Sequence, residues 1–117
     1  MPVRLLNSSV LKWPDLETVR NALEVWSKEQ VRQNSAILAI GYFGSYARGN
    51  WGVGSDLDLV MIVDRSDVPT EKRSLNCDTT SLPVPVDLLI YTQDEWARLS
   101  SEEGFWRNAE IVWIFKK

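Results

Sequence analysis

Three short apolar runs constrain the fold of this chain more than any other feature of its sequence. They are AILAIGYF at residues 36–43, LDLVMIV at 57–63 and VDLLIY at 86–91. None has the regular polar gaps of an amphipathic helix, and continuous runs of this length are typical of buried strands. IVWIF at 111–115 is most simply a fourth strand. The sequence therefore predicts a sheet of buried strands.

Helical patterns surround these runs. Across Asp15–Gln33, apolar residues recur at helical spacing, which predicts an amphipathic helix before the first strand. Thr92 and Glu95 have the spacing of a capping box, so another helix should begin directly after the third strand. The polar connection at 64–85 exceeds ordinary loops in length and has room for one short helix. With 117 residues, the chain fits one α/β (α+β) domain over its whole length.

Charge and composition exclude several kinds of function. Thirteen Lys and Arg against sixteen Asp and Glu give a net charge of −3, without a basic run, so general nucleic-acid binding is not expected. No apolar stretch approaches the roughly 18 residues of a membrane span, and Met1 to Lys12 lacks the regions of a signal peptide. We therefore expect a cytoplasmic protein without membrane contact. Cys77 has no second cysteine to pair with, which indicates an inert loop thiol.

The chain contains no histidine. This removes the commonest general base, the usual partner of a serine or cysteine nucleophile, and the commonest zinc ligand. Any catalysis must therefore use carboxylates, hard metal ions, arginine, lysine or backbone amides.

Two aspartates stand at the start of the second predicted strand. Asp56 and Asp58 are two residues apart, so on a strand their side chains point to the same face. Two such charges repel, and a divalent cation would resolve the conflict. Oxygen ligands of this kind select Mg²⁺ or Mn²⁺, and Mg²⁺ usually shares its coordination with substrate phosphates. Asp87 opens the third strand and would join the pair if the two strands are neighbours, although each aspartate alone fits an ordinary solvated strand end.

A glycine and a hydroxyl follow the first strand. Gly44 and Ser45 precede a segment long enough for one or two helical turns, closed by Gly49. Backbone N–H groups at such a start can hold an anion, typically a phosphate. The glycines of the next loop allow close approach to a ligand, and we include Arg48, Gly49 and Ser55 among the predicted ligand-binding residues. Arg48 also fits a surface cation at a helix C-terminus, and the glycine-serine pair alone fits an ordinary turn.

The combined spacing resembles a known family. Gly44-Ser45, ten intervening residues, Asp56-Leu57-Asp58 and a later Asp87 resemble the signature of nucleotidyltransferases of the DNA polymerase β superfamily. The fuller pattern GSYARG…SDLDL is similar to the minimal nucleotidyltransferases, which are frequently antitoxins encoded beside a HEPN-domain partner. The resemblance extends over about the whole chain, and no key position departs from it.

The resemblance implies a fold and a set of roles. The fold is a mixed central sheet flanked by helices, the polymerase β-like nucleotidyltransferase fold, which binds a nucleoside triphosphate with two Mg²⁺, or Mn²⁺ in their place. Gly44 and Ser45 would hold the triphosphate, while Asp56 and Asp58 would ligate the metals. Asp87 would complete the catalytic metal site.

The expected function is transfer of a nucleotide to a protein. The resemblance implies AMP transfer from ATP to a hydroxyl of a partner protein, a HEPN toxin that this transfer would silence. Neutralisation by binding and occlusion stays open, as does transfer to a small molecule or an RNA end. Trp106 and Trp113 would supply an apolar interface or fill the core, and Trp51 would stack on a base or pack internally. Both homo- and hetero-oligomers remain compatible with the sequence.

Overall fold

The structure, a computed structural model, describes residues 14–117. The expectation about a signal peptide in Met1 to Lys12 lies outside these residues. The elements, in chain order, are α1 (Leu16–Gln33), β1 (Ile37–Phe43), α2 (Ser45–Arg48), β2 (Leu57–Val63), a 3₁₀ helix (Thr70–Asn76), β3 (Val86–Thr92), α3 (Gln93–Ser101), α4 (Phe105–Asn108) and β4 (Val112–Lys116). No helix within the described part of the chain is long and apolar enough to cross a membrane.

The four strands form one mixed sheet in the order β3-β2-β1-β4. β1 is antiparallel to both β2 and β4, whereas β2 and β3 are parallel. The predicted fold class, a mixed sheet with flanking helices, is therefore confirmed. Each predicted strand is found within one residue of its expected ends. The helix expected after the third strand is also present and begins with the predicted capping box of Thr92 and Glu95.

Both faces of the sheet are covered, which explains why its strands are continuous apolar runs. On one face the amphipathic helix α1 inserts Val19, Leu23 and Trp26 into the main core. The Asp15 side chain accepts a hydrogen bond from the Thr18 N–H and caps this helix. On the other face Phe43 and neighbouring strand residues form a smaller core beneath α3 and α4.

The C-terminal tryptophans pack inside this smaller core. The centroid of the Trp106 ring lies 5.0 Å from that of Trp96 and 4.8 Å from that of Phe43, in edge-to-face contacts. The ring centroids of Trp96 and Trp113 are 6.0 Å apart. Such geometry is favourable for aromatic pairs. Of the two roles left open by the sequence, filling the core therefore accounts for these tryptophans better than an exposed interface does.

The connection between β2 and β3 is anchored by a buried arginine. Arg73, 8% exposed, donates to the backbone oxygens of Val68 and Ile90 at 2.7 and 3.1 Å. It also pairs with both oxygens of Glu95 at 2.6 and 3.1 Å. These bonds tie the 3₁₀ helix to α3 and to the outer edge of β3, so that edge is not open to another strand at Ile90. The Arg73 guanidinium and the cap hydrogen bonds of Thr92 lower the pKa of Glu95 to about 2.

Candidate active site

The parallel pairing of β2 with β3 brings two of the predicted carboxylates together. Asp58 lies directly opposite Asp87 in the register of the two strands, and Asp56 lies just before β2. Partial burial, then the charges of Asp87 and Asp56, raise the pKa of the half-buried Asp58 above its ordinary value. The Arg48 guanidinium acts in the opposite direction. Three carboxylates and one cation therefore share a single electrostatic environment at the end of the sheet.

Gly44 lies directly against the carboxylate of Asp58. It connects β1 to α2 with a φ of 74°, which residues with a Cβ rarely adopt. A Cβ built at this position would overlap Oδ2 of Asp58. Both the backbone conformation and the space therefore require glycine here. Ser45 begins α2 as predicted, and the Arg48 N–H donates to the Gly44 oxygen at 3.0 Å.

Two other predicted binding residues have structural contacts of their own. Gly49 ends α2 in the left-handed conformation, and no atom lies within 4 Å of a Cβ built on it. Ser55 closes the loop before β2: its hydroxyl accepts from the Gly52 N–H at 2.8 Å, and its own N–H donates to the Gly52 oxygen at 2.9 Å. Gly54 in this turn has a φ of 88°. Gly49 and Ser55 therefore shape the segments that carry the site.

Trp51 is placed on the side of the sheet away from the aspartates. Its ring stacks on Tyr46 at 5.4 Å with an interplanar angle of 5°, and both rings pack against the main core beneath α1. Asp58 lies between the core residues Leu57 and Leu59 in sequence, so its side chain points to the opposite face. Internal packing therefore accounts for Trp51 without a nucleotide.

The donor set fits a hard cation, although the side chains do not form a ready-made cluster. Within residues 14–117, no three aspartate, glutamate, cysteine or histidine side chains converge closely enough to hold a metal ion. Asp56, Asp58 and Asp87 approach one another without this convergence, as expected of like charges that repel. Their oxygens are the ligands that Mg²⁺ prefers. Burial first, and then repulsion by Asp87 and Asp56, raise the pKa of Asp58, and a bound cation would offset both effects.

A cavity of about 290 Å³ borders the site between α2 and α4, and Gly44 and Arg48 are among its lining residues. Larger cavities of about 350 and 730 Å³ lie between α1 and the 3₁₀ helix. Those cavities contain none of the predicted site residues, so chemistry and not size identifies the functional end of the sheet. Helix α4 was not predicted from the sequence, because four residues are too few to show a periodic pattern.

The mixed sheet ends in the facing residues Asp58 and Asp87, beside a helical turn that begins after Gly44. In the sequence comparison, residues 26–111 match the nucleotidyltransferase domain family. The chain therefore belongs to the nucleotidyltransferase domain family.

Solved structures support the fold independently. The chain is similar to the crystal structure of a candidate nucleotidyltransferase from Sulfolobus solfataricus, with a TM-score of 0.65 and 16% sequence identity. The similarity covers 87% of this chain and 84% of the other. At this level of identity the likeness concerns the fold alone. Among curated proteins, no sequence matches this chain.

The contact between Gly44 and Asp58 leads to a first prediction. Gly44→Ala is expected to destabilise the protein and to abolish nucleotide binding, because the new methyl group must displace the Asp58 carboxylate. Gly54→Ala is the matched control, since Gly54 has a similar positive φ but open space around it. Gly54→Ala should lower the free energy of unfolding by only about 1–2 kcal/mol, which is the penalty for a residue with a Cβ in a left-handed backbone conformation. Thermal unfolding and calorimetric titration with MgATP measure both effects, and equal behaviour of the two variants would contradict the prediction.

Proposed function

We propose that the chain is a Mg²⁺-dependent nucleotidyltransferase that transfers AMP from ATP to a hydroxyl group of a partner protein. We further propose that the partner is a HEPN-domain toxin and that the chain is its antitoxin. The observation that supports transfer most is the alignment of Asp58 with Asp87 across parallel strands, with Gly44 against the Asp58 carboxylate. We propose that a nucleoside triphosphate and its metal ions bind at this end of the sheet, and membership of the nucleotidyltransferase domain family supports the proposal.

Each residue near the carboxylates has a definite role in this proposal. The backbone at Gly44 and Ser45 would approach the triphosphate, because a glycine admits close contact. Asp56 and Asp58 would hold the metal ions, and Asp87 would complete the metal site and accept the proton of the attacking hydroxyl.

When bound, Mg²⁺ would stabilise the attacking and leaving oxygens of an in-line displacement at the α-phosphate. The displacement forms a bond between the acceptor oxygen and the α-phosphorus and releases pyrophosphate. No histidine is required in this scheme, which agrees with the composition of the chain.

A partner protein as acceptor is supported by the size of the site. The cavity beside Gly44 measures about 290 Å³, at the lower end of the roughly 300–1,000 Å³ typical of ligand pockets. That volume suits part of one nucleotide and leaves no room in the same cavity for a small-molecule acceptor. The acceptor hydroxyl would then arrive on a macromolecule that docks beside the carboxylates.

The test combines the protein with α-labelled ATP, Mg²⁺ and the product of an adjacent reading frame that encodes a HEPN-domain protein. We expect label on that partner and none in excess EDTA. ATP labelled at the γ-phosphate should leave the partner unlabelled, because pyrophosphate departs. Label on added RNA or on a small molecule would replace the partner protein as acceptor, and ATP affinity that is equal with and without EDTA would remove the metal-dependent mechanism.

The same system separates transfer from occlusion. A variant with both Asp56→Ala and Asp58→Ala should fail to label and fail to neutralise the partner in cells. If this variant neutralises the partner as well as the wild type does, occlusion and not catalysis explains the function.

A further inference from the structure

An exposed aromatic ring lies on the same face of the sheet as Asp58, separated from it by Phe43. Phe105, at the start of α4, is 61% exposed. Its ring is held in edge-to-face contact with Phe43 at 5.7 Å and with Trp106 at 4.8 Å. Phe43 is the cross-strand partner of Asp58, and cross-strand partners carry their side chains on the same face of a sheet. The structure therefore fixes a solvent-facing ring one side chain away from the Asp58 carboxylate.

The ring forms one wall of the cavity between α2 and α4. Gly44 and Arg48 line the side that faces the carboxylates, while Asn108 and Glu110 line the side formed by α4 and the residues after it. Gly44 connects the two places, since it borders the cavity and also contacts Asp58. A ligand whose phosphates lie at Gly44 can therefore extend into this cavity.

We propose that this cavity is the nucleobase subsite, with the base stacked on Phe105. This inference rests on the proposed function and adds to it the part of the site that selects the nucleotide. An aromatic side chain stacks on any base. The Asn108 carboxamide can both donate to and accept from a base edge, as asparagine does with adenine, and the Glu110 carboxylate can accept from an exocyclic amino group. These groups favour adenine over uracil, which offers no amino group.

The other candidate for base stacking is already engaged elsewhere. Trp51 stacks on Tyr46 on the α1 side of the sheet, whereas Phe105 contacts Phe43 on the face that carries Asp58. Phe105 therefore takes the place that the sequence alone suggested for Trp51.

The experiment compares two ligands of the full chain in the presence of Mg²⁺: ATP, and inorganic tripolyphosphate, which has no base. Calorimetric titration of Phe105→Ala should show an ATP Kd raised by about 10- to 100-fold, the contribution of one stacked base. The Kd for tripolyphosphate should stay unchanged, and UTP should bind the wild type more weakly than ATP. Phe105→Tyr should keep wild-type ATP affinity, because it retains the ring.

Two further variants separate stacking from general packing. Phe105→Leu keeps an apolar contact with Phe43 but has no ring, so it should lose ATP affinity as Phe105→Ala does. Leu75→Ala truncates an exposed apolar residue on the 3₁₀ helix that does not line the cavity. It should leave the Kd for ATP and the Kd for tripolyphosphate unchanged. Thermal unfolding of each variant verifies that the fold is retained.

The outcomes distinguish this inference from the proposed function. If the wild type binds neither ligand, the proposed function fails. If tripolyphosphate binds but Phe105→Ala leaves the ATP Kd unchanged, or weakens both ligands equally, the base does not stack on Phe105 and the inference is overturned.

Discussion

Asp58→Asn is expected to abolish nucleotide transfer while the apoprotein stays as stable as the wild type or becomes slightly more stable. Asparagine is nearly the same size, but it lacks the charge that would hold a cation. A metal ion supplies several kcal/mol of transition-state stabilisation, so the rate should fall by a factor on the order of a thousand or more. Stability should not fall, because the raised pKa of Asp58 means that its ionised form is disfavoured in the fold.

The measurement pairs a labelling assay with thermal unfolding at neutral pH in EDTA. Asp67→Asn is the matched control: it makes the same chemical change at an exposed position of the connection after β2, and both activity and stability should be retained. Marked destabilisation by Asp58→Asn would identify Asp58 as a structural residue instead. No loss of stability is expected because the pKa of Asp58 is raised in the folded state. A carboxyl group with a raised pKa weakens the fold above that pKa, so replacing it with an amide removes this unfavourable effect.

Arg73→Leu is expected to cause a large loss of stability without removing any group from the site. Arg73 makes four hydrogen bonds, and its loss would leave the Ile90 oxygen unpaired and the Glu95 carboxylate without its counter-ion. Breaking such a buried pair costs roughly 2–4 kcal/mol, and at this size that lowers the Tm by about 10 °C or more. Denaturant and thermal unfolding measure the change.

Arg32→Leu provides a matched control for this arginine. Arg32 also pairs with a glutamate, Glu29, but the two side chains are 71% and 45% exposed. Exposed ion pairs contribute little, so the Tm should be nearly unchanged. Similar Tm values for Arg73→Leu and Arg32→Leu would show that the buried network does not stabilise the fold.

The same network predicts how stability depends on pH. Because the pKa of Glu95 is lowered from 4.5 to about 2 in the folded protein, its stabilising effect is complete above 4.5 and is lost as the pH falls toward about 2. Glu95→Gln removes the titrating group. The Tm of this variant should therefore fall less steeply than that of the wild type across this interval.

The regular elements of the fold were predictable because their signals are local. The apolar run at 57–63 coincides with β2, and the Thr92–Glu95 spacing marks the start of α3. The sequence did not reveal that the connection after β2 is anchored to the rest of the fold, because Arg73 resembles any other charged residue in a polar segment. Only its contacts with Ile90 and Glu95, which lie on other elements, explain its burial.

The sequence alone supplied the residue types and spacing on which the proposed chemistry of the candidate site rests: aspartates two residues apart, a glycine-serine pair and no histidine. Tertiary structure decided the geometry: the parallel pairing that sets Asp87 opposite Asp58, and the contact of Phe105 with Phe43. Strand pairing joins residues far apart in the chain, and strands buried on both faces lack the alternation that would reveal which side chains share a face. Local periodicity therefore indicates that strands form, whereas the partners of each strand depend on the packing of the whole sheet.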